Sequence, residues 1–392
     1  MTDQPTVLVV HAIDTEGPLG GDARRLPDGS AEFMDDWAAI DASLAELTSA
    51  EFRLAHVDSE GNPYLFNWFI LDFTGFRTNP KNRVARYHDT YDHLVALPIE
   101  QDGLHWHYHA PPASGAGDQW AETWLESNEH NQILARRLLE RHDFPVAFRA
   151  GGTIEEEAAS AWLDEVFPLD YSNRVSKRSV EGASLNAFNW FGAPEGWTGY
   201  RPSHASLFRE GRRRRHVYRS VDLLSRYNSV GEAELEECFR EAERTGTDQV
   251  LSFFSHDNRD MRPETYAIAE LLTRVSTRLG VPWASCTAEG AHRRLHGLVP
   301  APISLATTVD ERGFQIVASG DLFQSAPFVA ARLTDGRFCR LHACSTGSRS
   351  WHVPVAPSQV EEIGVAAASV ASDRAIEVSR VLRHPLRLER VA

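Results

Sequence analysis

Gly103-Leu104-His105-Trp106-His107-Tyr108-His109 places three histidines on alternate positions within seven residues. Imidazole is the commonest side-chain metal ligand. On a helix, residues four apart share a face, so His105 and His109 would aim at one cation while His107 pointed elsewhere. On a strand all three would line one face together. The spacing leaves both geometries open, along with the plainer one of a solvated or hydrogen-bonded histidine cluster. The elements on either side decide what fold carries the motif.

Residues 6–13 read as a buried strand, with Asp14-Thr15-Glu16-Gly17 just past its end. From Asp35 to about Thr48 the apolar spacing through Trp37, Ile40, Leu44 and Leu47 predicts a helix, with Asp35 and Asp36 suited to its first turn. The aromatic run from Tyr64 to Ile70 fits a strand or an aromatic-walled loop. A long amphipathic helix is expected over 119–141, then a short strand over 144–148 running into Arg149-Ala150-Gly151-Gly152. Thr153-Ile154-Glu155-Glu156 has the form of a capping box opening a helix toward Val166. Leu169-Asp170-Tyr171-Ser172 resembles a strand end, and 249–254 a strand that ends in Ser255-His256-Asp257. Helices are expected over 232–244, 263–279 and 288–295, the second with Pro263 in its first turn, and a strand over 281–285. Helices alternating with short apolar strands predict an α/β fold with a largely parallel sheet.

After Pro300 the texture changes. Short strand candidates over 303–308, 314–318, 328–333, 338–342, 350–355 and 375–381 are separated by Asp-Gly, Gly-Ser and Pro-Ser punctuation. This predicts a small all-β C-terminal domain, a sandwich, over 299–392, behind a first domain over 1–298.

The chain has 392 residues, 42% hydrophobic and 24% charged, with a formal net charge of −15. That balance argues against general affinity for nucleic acid or anionic membrane, so neither nucleic-acid binding nor stable membrane insertion is expected. No run of 18 apolar residues marks a membrane span. The N-terminus lacks a basic region, and Cys238, Cys286, Cys339 and Cys344 have no CxxC spacing. They read as buried free thiols of a reducing compartment, and the expected location is cytoplasmic.

In a parallel α/β sheet, functional groups gather outside the carboxyl ends of the strands. Asp14 and Glu16, His105 and His109, Arg149 and His256 all fall at such expected ends. A carboxylate with two imidazoles and open positions suits a catalytic divalent metal. A second carboxylate would serve as base, a histidine as acid, and an arginine would orient the base.

The order Asp-x-Glu, His-xxx-His, Phe-Arg-Ala-Gly and strand-Ser-His resembles the polysaccharide deacetylase superfamily (NodB-homology domains) over roughly residues 5–295. Phe144–Gly151 is similar to its arginine motif, Leu169–Ser172 to the stretch that follows, and His256 through Trp283 to its last histidine motif and closing strand. The resemblance implies a distorted (β/α) barrel and a divalent metal that supports hydrolysis of amides or esters on sugars. It assigns Asp14 as general base, Arg149 as its partner and His256 as general acid. Glu16, His105 and His109 become the ligands of one divalent metal ion, with Zn first and Ni, Co, Mn or Fe as alternatives. The chain has Asp-Thr-Glu where many members have adjacent aspartates, and Ala-Gly-Gly after Arg149. The acidic residue that tunes the last histidine has only Asp222 and Asp257 as candidates.

The implied function is a metal-dependent carbohydrate N-deacylase acting on a glycan-biosynthesis intermediate, releasing acetate or formate. The other readings are a degenerate deacetylase fold that binds carbohydrate or a partner, and an amidohydrolase of a non-sugar amide. Trp106, Trp190 and Trp197 are candidates to stack on a sugar, and His107 for substrate contact or packing. His88 and His93 read as surface residues. Arg212-Arg213-Arg214-Arg215 reads first as a solvated loop, or else as a phosphate contact. The tail is open between glycan binding and formation of a homo-oligomer.

Overall fold

The computed structural model describes residues 4–18, 33–72, 88–110, 124, 128–175, 190–223 and 231–391. In chain order the first elements are β1 (Val7–Thr15), α1 (Trp37–Thr48), α2 (Ala50–Ala55), β2 (Asn67–Leu71), α3 (Asp89–Val95), β3 (Gly103–Tyr108) and α4 (Glu129–Arg141). They continue with β4 (Ala147–Ala150), α5 (Glu157–Val166), β5 (Leu169–Asn173), β6 (His216–Asp222), α6 (Glu232–Thr245) and β7 (Gln249–His256). α7 (Arg262–Leu279), β8 (Trp283–Ser285) and α8 (Ala288–His296) complete the parallel part. The chain forms two compact units, one of residues 1–123, 147–157 and 169–297 and the other of 124–146, 158–168 and 298–392.

The first unit is a parallel barrel closed by seven strands, β2-β3-β4-β5-β6-β7-β1 and back to β2. β1 carries the closure because its Val-rich run is buried throughout and has partners on both sides. It pairs with β7 from Val7↔Gln249 to Asp14↔His256. On its other side the lower half pairs with β8 and the upper half with β2, from Ala12↔Asn67 to Thr15↔Ile70. The period of two then divides the side chains between inside and outside. Val7, Val9 and Ile13 pack against helical residues such as Leu44, Leu235 and Leu272. Leu8, Val10 and Ala12 pack instead with Phe69, Tyr171, Tyr218 and Val250 across the barrel interior. Ala288 and Ala291 of α8 join that interior cluster, so the last helix fills one end of the barrel.

Several local expectations shift. The aromatic run is strand only from Asn67, and the expected 119–141 helix is described as helix from Glu129, with 119–123 and 125–127 outside the described residues. The Thr153 capping box does not open a helix. Gly151–Thr153 forms a 3₁₀ turn with Gly152 and Thr153 at positive φ, and α5 starts at Glu157. Glu155 is instead buried in an ion pair with Arg215. His88 is buried against Asp72, with Nδ1 3.2 Å from Oδ1, rather than on the surface. His93 stacks on Trp37 with ring centroids 3.8 Å apart.

In the second unit, β9 (Leu305–Asp310), β10 (Gly313–Ala318), β13 (Cys344–Gly347) and β14 (Ser350–Val353) form one antiparallel sheet, in the order β13-β14-β10-β9. β11 (Phe328–Leu333), β12 (Phe338–Leu341), β15 (Val360–Ala368), β16 (Arg374–Arg383) and β17 (Leu386–Arg390) form the other, in the order β12-β11-β15-β16-β17. Phe314, Ile316 and Trp351 from the first sheet share a buried core with Val329, Ile363 and Val365 from the second, which makes the unit a sandwich. α4 and most of α5, which sequence order places in the barrel, belong to this unit. The reason is visible at Gly364 of β15, where Leu138 and Leu139 of α4 approach so closely that a Cβ would lie 3.0 Å from each.

Among the described residues no helix is long and apolar enough to cross a membrane. Among them, too, all four cysteines are free thiols, Cys238 buried and Cys344 exposed.

Candidate metal centre at the barrel mouth

Asp14, the next-to-last residue of β1, accepts two hydrogen bonds from Arg149 of β4, Nε to Oδ1 at 2.6 Å and Nη2 to Oδ2 at 3.0 Å. Both side chains are buried. The fork geometry matches a carboxylate edge, which fixes the orientation of Asp14 as well as its charge. Burial would raise the Asp14 carboxyl, but the Arg149 guanidinium, with help from His107 and His256, outweighs it and holds the group at about 2. Arg149 is itself fixed by donating from Nη1 to the Tyr171 carbonyl at 2.6 Å and by lying 4.0 Å from the centre of the Phe254 ring.

Glu16 is set just beyond the strand by Asp257, which accepts from the Glu16 amide at 2.7 Å and from the Gly17 amide at 3.0 Å. Its Oε2 accepts from Asn258 Nδ2 at 3.2 Å. Its Oε1 lies 3.3 Å from His107 Nε2 and 3.0 Å from His109 Nε2, and those two nitrogens are 3.1 Å apart. Three donor atoms converge on one point. Ligands on a tetrahedral Zn at about 2.0–2.1 Å sit roughly 3.3 Å from one another, so the spacing of this set fits the ion. Glu16, His107 and His109 therefore form a cluster that could hold a metal ion.

The histidine stretch folds as β3, and the strand brings His107 and His109, rather than His105 and His109, together beside Glu16. Residues 105, 107 and 109 face the interior together, but each step of two residues advances about 6.6 Å along the strand. His105 and His109 stand roughly 13 Å apart on that rise, too far for one cation. His105 lies a layer deeper, with Nε2 3.3 Å from Asn67 Oδ1 and 3.6 Å from Glu289 of α8. His107 takes its place. Its Nδ1 donates to the Arg149 carbonyl at 3.1 Å, which leaves the Nε2 lone pair directed at Glu16 and His109.

His109 lies past the strand end and its ring covers Gly151, where a Cβ would fall within the imidazole. The Phe-Arg-Ala-Gly motif thus supplies two things, the arginine that holds Asp14 and the bare backbone that admits His109.

His256 ends β7 opposite Asp14, with Nε2 3.8 Å from Asp14 Oδ2. Its Nδ1 accepts from Arg259 Nη2 at 2.7 Å, so the Nε2 edge carries the proton. Burial first and the Arg259 guanidinium second hold this imidazole down at about 3, against the pull of Asp14 and Glu16. The two candidate acids have other roles. Asp257 caps the Glu16 turn, and Asp222 pairs with Arg174 at 3.3 Å. Burial raises the Asp222 carboxyl to about 6.

The three tryptophans offer no sugar platform. Trp106 points to the outer side of β3, stacked on Tyr108 and against Phe148, and it is fully buried. Trp190 is buried and donates to the Thr153 carbonyl at 3.0 Å, while Trp197 is buried under the Arg219 guanidinium. The Arg212–Arg215 run is not a solvated patch either. It alternates on entry to β6, with Arg213 and Arg215 buried and Arg212 and Arg214 exposed. Arg213 donates to the Ser203 carbonyl at 3.0 Å, and Arg215 serves Glu155 and Asp170.

No family model matches this chain, and no curated protein matches it.

Proposed function

We propose that this chain is a metal-dependent hydrolase that removes an N-acyl group, acetyl or formyl, from a sugar or glycan-biosynthesis intermediate. The observation that carries it is the convergence of Glu16, His107 and His109 within 3.3 Å of one another, beside a carboxylate locked by Arg149. Two imidazoles and one carboxylate favour a borderline metal such as Zn, and the three protein ligands would leave a coordination position for substrate. The ion would polarise the acyl oxygen and lower the pKa of water.

The protein's own groups do the rest. Asp14, ionised and held by two hydrogen bonds, accepts the proton that the attacking water gives up. Its oxygens cannot rotate away, because the guanidinium fixes both. The acyl carbon–nitrogen bond then breaks, and the nitrogen takes the proton that Asp14 accepted, while His256, with Nε2 3.8 Å from Asp14 Oδ2, donates a hydrogen bond to the leaving nitrogen. The carboxylic acid and the free amine leave. A cytoplasmic location and a glycan-biosynthesis intermediate as substrate belong to this proposal.

One observation favours a second reading, a carbohydrate-binding protein without turnover. Arg259, a cation, occupies the His256 position where an acid would favour the protonated ring. Deacylation of N-acetyl and N-formyl amino sugars, followed as free amine, separates the two. The hydrolase reading expects zinc-dependent release that Asp14→Asn lowers by at least 10²-fold. Zinc binding without release from any of these substrates would overturn it in favour of binding alone.

A further inference from the structure

A second histidine cluster lies at the other end of the same barrel. His216 opens β6, in register with Leu169 at the start of β5, whereas Asp14 and His256 stand at the strands' far ends. The length of β6 sets the two places roughly 20 Å apart. His292 and His296 lie one turn apart on α8, and this spacing stacks two imidazoles on one helix face. The three rings have centroids 4.7–4.8 Å apart, and one nitrogen from each lies within 4.8 Å of the others. The Tyr218 hydroxyl sits among them, 2.7 Å from His292 Nδ1 and 3.2 Å from His296 Nε2.

We propose that His216, His292 and His296 hold a second divalent transition-metal ion, with the Tyr218 hydroxyl beside it as an oxygen neighbour. Three imidazoles suffice for zinc, and a set without a carboxylate selects Zn, Co, Ni or Cu over Mg or Ca. His292 is buried while His296 is exposed, so the ion has a supported site and a way in. The ligands come from α8 and the barrel wall. Tyr171, stacked on Tyr218, also ties the wall to α8 by donating to the Ala288 carbonyl at 3.2 Å. The ion would fasten the helix that fills the barrel end, which is a structural role and independent of the hydrolase reading.

The test counts metal on the full chain. Zn is measured by elemental analysis after dialysis, and Co(II) titration reads the ligand field from its visible bands. Two equivalents are expected in the unsubstituted protein and one in the His107→Ala/His109→Ala variant, with a Co(II) spectrum of nitrogen ligation. His296→Ala, at an exposed position, is expected to weaken this site at least ~10-fold and to lower its melting temperature in zinc. Zinc or cobalt binding that His296→Ala leaves unchanged, or no metal in the His107→Ala/His109→Ala protein while that protein remains folded, would overturn the inference. One equivalent lost on His296→Ala, with none lost on His107→Ala/His109→Ala, upholds this site and removes the hydrolase reading, so the two fail separately.

Discussion

Replacing Arg149 with methionine keeps most of the side chain's length but strips the Asp14 carboxylate of both guanidinium hydrogen bonds, at 2.6 and 3.0 Å. Asp14 is only 3% exposed and Arg149 not at all, so water cannot take the guanidinium's place. A buried ion left without its partner costs about 3–5 kcal/mol. The Tyr171 carbonyl loses its donor as well, which adds about 1 kcal/mol. The expected loss for Arg149→Met is therefore about 4–6 kcal/mol, most of it from the stranded charge. Arg149→Met/Asp14→Asn removes that charge and should recover at least about 2 kcal/mol of the loss, a coupling typical of contacting residues. Urea unfolding of all four proteins of the cycle at pH 7 gives both numbers. A cost below about 1 kcal/mol for Arg149→Met, or strictly additive single effects, would refute the buried fork and with it the claim that Asp14 is held in place.

Other substitutions probe the neighbourhood. Burial lifts the Glu264 carboxyl to about 7, although Ser255 and Arg259 work against it. A folded pKa above the unfolded 4.5 means the native state binds the extra proton, so stability falls as pH rises from about 4.5 to 7. Glu264→Gln should remove that slope and gain roughly 3 kcal/mol at pH 8 relative to pH 4.5, and an unchanged slope in pH-dependent urea unfolding would contradict the burial. Gly151→Ala should push the His109 ring out of the cluster and weaken zinc binding at the mouth at least ~10-fold with the fold intact, measured by competition with a chromophoric chelator. Full zinc affinity in that variant would show that His109 reaches the site another way.

Periodicity made much of the barrel legible. The Val7 strand, the 249–256 strand and the helices over 37–48, 232–245 and 262–279 stand close to where apolar spacing and Pro263 predict them. β6 was hidden because its residues, His216-Val217-Tyr218-Arg219-Ser220-Val221-Asp222, carry polar groups on both faces, with Arg219 donating to the Val175 and Glu195 carbonyls and Asp222 paired with Arg174 inside the fold. β15 was hidden by an alanine-rich run, Gly364-Val365-Ala366-Ala367-Ala368, whose small side chains carry weak strand preference and are selected by the close approach of α4 at Gly364.

At the site, Asp14, Glu16, Arg149 and His256 were readable as strand-end polar groups, and the structure brings them together. The pair of histidines that clusters with Glu16 was not, because an i, i+4 pair and an i, i+2 pair coexist in one motif and only the secondary structure chooses between them. The i, i+4 rule applies elsewhere in this chain, to His292 and His296, which do lie on a helix. The tryptophans misled for a similar reason: proximity to a motif in sequence says nothing about which face of a strand an indole takes, and Trp106 takes the outer one.

We propose that His107, not His105, joins Glu16 and His109 around a metal at the barrel mouth. Zinc content and affinity of His105→Gln and His107→Gln, each in a His296→Ala background that weakens the other cluster, decide between the two histidines. His105→Gln is expected to retain one equivalent with affinity within a few-fold of its background while His107→Gln loses it. Retention in His107→Gln with loss in His105→Gln would contradict it.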